Sequence, residues 1–195
     1  TLLKERAETG RIYIMNIDHC NTHSSFKDKV YMSNLCQEIT LPTTPLQHID
    51  DEDGEIALCI LSAVNLGLIR DKEELEGLCD LSVRALDEII DYQEYPIEAA
   101  RISAESRRSL GIGYIGLAHF LAKNHVKYDD KDALVLVDEI TEAFQYYLLK
   151  ASNNLAQEKG KCDYFHMTKY SDGILPIDTY KKDLDKIVKR KLSYD

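Results

Sequence analysis

Apolar positions along the chain fall into two periods. Over residues 71–92, Leu75, Leu78, Cys79, Leu86, Ile89 and Ile90 recur at helical spacing, which predicts an amphipathic helix with one buried face. Residues 131–159 repeat the pattern at Ala133, Val137, Ile140, Phe144, Tyr147, Ala151 and Leu155, and Gly160 supplies a stop. Two further helical regions are predicted at about 96–123 and about 176–189. Residues 2–9 read as a helix closed by Gly10. Strand signals are fewer. RIYIMNI at 11–17 is rich in β-formers, and 18–31 follows as a loop. IALCILSAVNL at 56–66 is almost wholly apolar, which fits a parallel strand buried on both faces. LPTTP at 41–45 and DDEDGE at 50–55 read as irregular chain and a solvated acidic turn. The sum is a helix-rich α/β fold whose strands are separated by long helical excursions.

The segment SNLCQEI, Ser33 to Ile39, raises the question of which of its faces is buried. Extended, it places Asn34, Cys36 and Glu38 on one face, about 7 Å apart, and Leu35, Gln37 and Ile39 on the other. A free cysteine favours burial. Two readings stay open: a surface strand that turns Asn34, Cys36 and Glu38 to solvent, or a buried face on which an amide, a thiol and a carboxylate form a chemical site.

Composition narrows the options. The 195 residues are 44% hydrophobic and 30% charged, as in an ordinary soluble domain, and the net charge of −10 disfavours nucleic acid and acidic membranes. No apolar run has transmembrane length. Five cysteines without a CxxC pair do not form a secreted disulfide framework, which points to a reducing, cytoplasmic setting. Both ends read as cut from a longer chain.

Several motifs carry weaker signals. GIGYIG at Gly111, Gly113 and Gly116 has dinucleotide-fingerprint spacing, but the polar, basic ESRRSL before it is not the required strand; close packing at glycine is the better reading. His19-Cys20-x-x-His23 offers zinc ligands without a second ligand pair, and a loop fastened by side-chain hydrogen bonds is preferred. Aligning Gly54 with the calcium-loop glycine puts Ile49 and Ile60 where acids are needed. Cys36 as a peptidase-like nucleophile lacks the local signatures. Cys59 reads either as a small core hydrophobe or as a redox thiol; Cys79 and Cys162 read as packing residues.

In combination, SNLCQEITLPT and GEIALCILSAVNLG resemble the active-site region of the class I ribonucleotide reductase large subunit. TGRIYIMNIDHCNTHS, RRSLGIGYIGLAHFLA, QYYLLKASNNLAQEKG and GILPIDTYKKDLD extend the resemblance over essentially the whole chain. The resemblance implies part of a ten-stranded α/β barrel with a central finger loop at about 31–42. It implies that Cys36 is the thiyl-radical site abstracting the ribose 3′-hydrogen of a ribonucleoside diphosphate. Glu38 would be the general base on the 3′-hydroxyl, Asn34 the amide holding the substrate hydroxyls, and Cys59 one of two thiols that reduce the substrate. Tyr13 falls opposite a tyrosine near the radical path. A carboxylate in a dry pocket would have its pKa raised, and a radical would need water kept out.

The resemblance also implies what lies elsewhere. The second redox cysteine, the substrate-phosphate loop, the relay tyrosines, the CxxC tail and the ATP/dNTP effector sites fall outside these residues. The chain itself would hold no cofactor; a diiron/tyrosyl-radical centre belongs to a partner small subunit. Expected partners are the rest of the large subunit, that small subunit, thioredoxin or glutaredoxin, and the substrate, with a homodimer in the full enzyme. An incomplete barrel would leave open strand edges and a bare apolar face. The competing readings are a non-catalytic scaffold fragment and a glycyl-radical relative, the latter without flanking-motif support.

Overall fold

The computed structural model describes residues 1–180. The predicted helix at about 176–189 lies mostly outside them; its start, Pro176–Thr179, is a 3-10 turn. Helix α1 (Leu2–Thr9) ends at Gly10, whose φ of 67° lets its N–H donate to the Arg6 carbonyl. Helix α3 (Lys72–Tyr92) begins at Asp71, whose carboxylate accepts from the Glu74 N–H at 2.8 Å. Helix α6 (Lys131–Lys159) ends at Gly160, φ 98°. Between them lie α4 (Glu98–Arg107) and α5 (Leu117–Lys123), and α2 (Ile17–His23) precedes the first strand.

Two parallel strands, β1 (Ile60–Asn65) and β2 (Leu110–Ile115), form the sheet among the described residues, in register from Ile60↔Leu110 to Asn65↔Ile115. Helices α3 and α6 cover one face. Val64, Leu66, Ile69, Leu75, Cys79, Ile140, Ala143 and Phe144 pack as a single cluster, with Ile112 and Tyr114 of β2 against it. Val83, Ala151 and Leu155 continue the seam. Phe144 meets Tyr114 edge-on, ring centroids 5.7 Å apart.

Several expectations change. The apolar run 56–66 is not buried on both faces: Leu61 is 58% exposed and Ala63 is also exposed, because among the described residues helices cover one face of the sheet. The strand itself starts only at Ile60. Residues 96–123 are not continuous helix. Leu110, Ile112 and Tyr114 point toward the core while Gly111 and Gly113 alternate with them, so β2 hides its period behind glycines. A Cβ at Gly111 would sit 2.4 Å from Leu61 Cδ2 and 2.9 Å from Cys59 Sγ, so close strand packing is what this glycine permits.

Residues 11–16 form no strand. Tyr13 and Ile14 are half exposed, and no partner strand lies beside them among the described residues. The stretch 17–23, expected as strand end and loop, is α2, with Asp18 favourably placed in its first turn. On α3 the buried stripe takes Val83 and leaves Ile89 42% exposed.

Candidate active site

The loop carrying Cys36 is built from its stems upward. Asn21 on α2 grips the outbound stem: its Oδ1 accepts from the Val30 N–H at 2.8 Å and its Nδ2 donates to the Val30 carbonyl at 2.9 Å. The side chain thus does what a neighbouring strand would do, and Val30 is fully buried. On the return stem Pro42 is fully buried, and Thr44 and Glu55 exchange backbone hydrogen bonds of 3.3 and 3.0 Å in an antiparallel bridge. The chain between Thr44 and Glu55 turns back through the acidic stretch, where Asp51 accepts from the backbone N–H groups of Gln47 and His48.

At the tip the chain is a tight turn rather than an extended segment. The Asn34 N–H donates to the Ile39 carbonyl at 3.3 Å, and the Gln37 N–H to the Asn34 carbonyl at 3.2 Å. Gln37 takes a left-handed φ of 64°, which reverses the chain. The Asn34 Nδ2 donates to Glu38 Oε1 at 2.5 Å, while its Oδ1 accepts from the Ile39 N–H at 3.0 Å. Asn34 and Glu38 therefore do come together, across the turn instead of along a strand face. Cys36 lies between them in the sequence. All three side chains are exposed, as is Leu35 at 82%, so the described residues do not bury the face that was expected to be covered. The physical reason is local: a self-closed turn satisfies its own polar groups and stands clear of the α3–α6 core.

Cys59 lies elsewhere, immediately before β1. It is half-buried against Gly111, its Sγ 3.8 Å from the Ile60 carbonyl, and burial pushes its thiol above the ordinary range. These contacts belong to the sheet rather than to the Cys36 loop. Cys79 is fully buried in the core; burial, then the charge of Glu76, pushes its thiol up to about 12. Cys162 is partly buried and likewise pushed up, chiefly by burial.

His19, Cys20 and His23 are on α2, not in a loop. His23 stacks on Tyr180 with centroids 4.0 Å apart and shares a 3.1 Å hydrogen bond with Thr179 Oγ1. The fastening expected of this motif is therefore present. Among the described residues no group of three or more His, Cys, Asp or Glu side chains is placed to hold a metal ion.

One arrangement was invisible in the sequence. Arg107, at the end of α4, is buried with Glu55. Its Nε donates to Glu55 Oε2 at 2.6 Å, and its Nη2 to Glu55 Oε1 at 2.9 Å and to Asp28 Oδ2 at 2.8 Å. Thr44 Oγ1 adds a 3.0 Å bond to Glu55, and the guanidinium lies 5.1 Å from the Tyr164 ring centre. Burial raises the Glu55 carboxyl, but the Arg107 hydrogen bonds and charge, with Thr44, outweigh it and hold the group below the usual carboxylate range. Glu55 is thus buried, together with Gly54, at the end of a turn whose Asp50, Glu52 and Asp53 are exposed. The neighbouring Arg108, at a left-handed φ of 48°, turns the other way and pairs with Asp87 and Asp91 of α3.

Comparison with known proteins gives this geometry its setting. The ribonucleotide reductase barrel-domain model matches residues 1–194. The ribonucleoside-diphosphate reductase subunit alpha of Haemophilus influenzae is 61% identical over 197 residues, covering 100% of this chain and 26% of the relative. The corresponding subunit alpha of Escherichia coli K12 is 58% identical with the same coverage, and that of phage T4 is 41% identical over 199 residues, again all of this chain and 26% of the relative. The chain spans about a quarter of the length of these relatives. With a match running from the first helix through the Cys36 turn and the paired strands to the final residues, the chain belongs to the ribonucleotide reductase barrel-domain family.

Proposed function

We propose that this chain is the part of a class I ribonucleoside-diphosphate reductase catalytic subunit that carries the radical cysteine. Residues 31–42 form the finger loop of a ten-stranded barrel to which β1 and β2 contribute. Cys36 carries the thiyl radical and takes the 3′-hydrogen of the substrate ribose. Glu38 accepts the 3′-hydroxyl proton, and Asn34 holds the sugar hydroxyls. Cys59 is one of two thiols whose oxidation to a disulfide supplies the two electrons as the 2′-hydroxyl leaves as water; the second thiol lies outside these residues.

The observation that carries this reading is the turn itself. Asn34 and Glu38, two positions before and two positions after Cys36 in the chain, are hydrogen-bonded to each other. An amide that donates to a carboxylate in the free chain can exchange that partner for a substrate hydroxyl, and the freed carboxylate can accept the hydroxyl proton. Activity belongs to the complete subunit. The remainder of the large subunit would enclose the exposed tip, a small subunit with a diiron/tyrosyl-radical centre would generate the radical, and thioredoxin or glutaredoxin would reduce the disulfide. A homodimer of large subunits and ATP/dNTP effector sites outside this segment complete the proposal.

The test is thioredoxin-dependent reduction of a ribonucleoside diphosphate by a full-length subunit carrying this segment, mixed with its small subunit. Cys36→Ser is expected to abolish turnover; normal turnover in that variant would overturn the assignment.

A further inference from the structure

We propose that Arg107 is a positioning residue for the Cys36 loop, tying its outbound and return stems to one point on α4. This rests on the reading of that loop as the radical site. The loop leaves the described core after Val30 and returns to it at Pro42, and just outside these points a single guanidinium holds both sides: Asp28 through Nη2, Glu55 through Nε and Nη2.

The geometry singles out arginine. Its planar fork engages the Glu55 carboxylate with two donors and still reaches Asp28 with the same Nη2. A lysine offers a point charge that cannot reproduce that fork. The Arg107 side chain is 3% exposed and that of Glu55 8%, so the pair is insulated from water, while Asp28 at 25% is its outer partner. Thr44 donates to the same Glu55 carboxylate and also forms the backbone bridge to residue 55. The return stem is therefore fixed by side chain and main chain together. The outbound stem has Asn21 on Val30 and Arg107 on Asp28, two residues apart. Six positions beyond the Asn21 clamp stands Cys36. A loop of this length anchored at both stems has fewer accessible tip positions than one anchored at one, and a reaction that depends on where a sulfur sits is sensitive to that difference.

The decisive variant is Asp28→Ala, which cuts one tie and leaves the Arg107–Glu55 pair in place, with Asp28→Glu as the conservative rescue. Hydrogen–deuterium exchange on the chain is expected to show residues 30–39 exchanging about tenfold faster in Asp28→Ala, near-native rates in Asp28→Glu, and unchanged protection in α3 and α6. Unchanged loop exchange overturns the proposal, and so does a parallel rise in α3 and α6, which marks general loosening. In the full-length subunit, Asp28→Ala and Arg107→Lys are expected to lower kcat several-fold with KM unchanged. If kcat stays normal in both while Cys36→Ser is inactive, the positioning role is wrong and the radical-site reading stands; if Cys36→Ser is itself active, the reading of the loop fails whatever the exchange data give.

Discussion

Replacing Glu55 by Gln probes the energetics of the buried Arg107 cluster directly. The substitution keeps the shape and removes the charge that faces a guanidinium 3% exposed. Two charge-assisted hydrogen bonds, of 2.6 and 2.9 Å, are lost or reduced to neutral ones. Removing one partner of a buried pair costs about 3–5 kcal/mol, and Asp28 remains as a second, more exposed counter-charge, so the lower end, about 3 kcal/mol, is expected. Urea unfolding followed by circular dichroism at neutral pH measures it. A loss under about 0.5 kcal/mol would refute the reasoning, because it would mean that Arg107 does not depend on Glu55. The pH profile adds an independent check. The folded Glu55 carboxyl lies below its ordinary value of 4.5, so folding favours the ionised form. That contribution is whole above the unfolded value and drains away as pH falls through the lower, folded value. Glu55→Gln should therefore flatten the acid limb of stability. The double variant Glu55→Met with Arg107→Met should lose less than Glu55→Gln alone, since the charge it leaves without its partner is Asp28, which is 25% exposed, rather than the buried guanidinium.

Leu75 is fully buried at the centre of the α3–α6–sheet cluster, so Leu75→Ala should cost about 2–5 kcal/mol in the same urea assay. Asp71→Ala removes the carboxylate that caps α3 and should cost about 1 kcal/mol, with faster amide exchange confined to the first turn. Alkylation of the folded chain near neutral pH should label exposed Cys36 well before Cys79, whose thiol is buried and pushed up to about 12; mass spectrometry that finds Cys79 labelled first would contradict the packing.

The long helices were legible because each carries its own instructions. Helix α6 has a continuous stripe from Ala133 to Leu155 and a glycine stop, and α3 has its stripe and a capping aspartate. Strand β2 was not, because Gly111 and Gly113 occupy the alternate positions and erase the contrast on which a period of two depends. Residues 11–16 show the opposite failure: β-forming side chains without a neighbouring ladder remain irregular. At the candidate site, the grouping of Asn34 with Glu38 was right for a different geometry, since one left-handed residue, Gln37, turns the expected strand into a closed turn. The Arg107 cluster was out of reach of any local pattern; its partners lie 52 and 79 positions away in the chain.

The sheet register has a consequence for how the chain acquires its structure. Every β1–β2 pair joins residues fifty positions apart, with α3 and α4 inside the interval. Closing so large a loop costs chain entropy before any ladder hydrogen bond repays it. Contacts within helices are local and strand pairing is not, so pairing is expected to be the slower step, with α3 docking shortening the distance to be searched. Folding is thus committed late, by non-local contacts. Until that moment both strands present unpaired edges and the apolar residues that later line the core, which makes dilution and low temperature the conditions under which refolding outruns association.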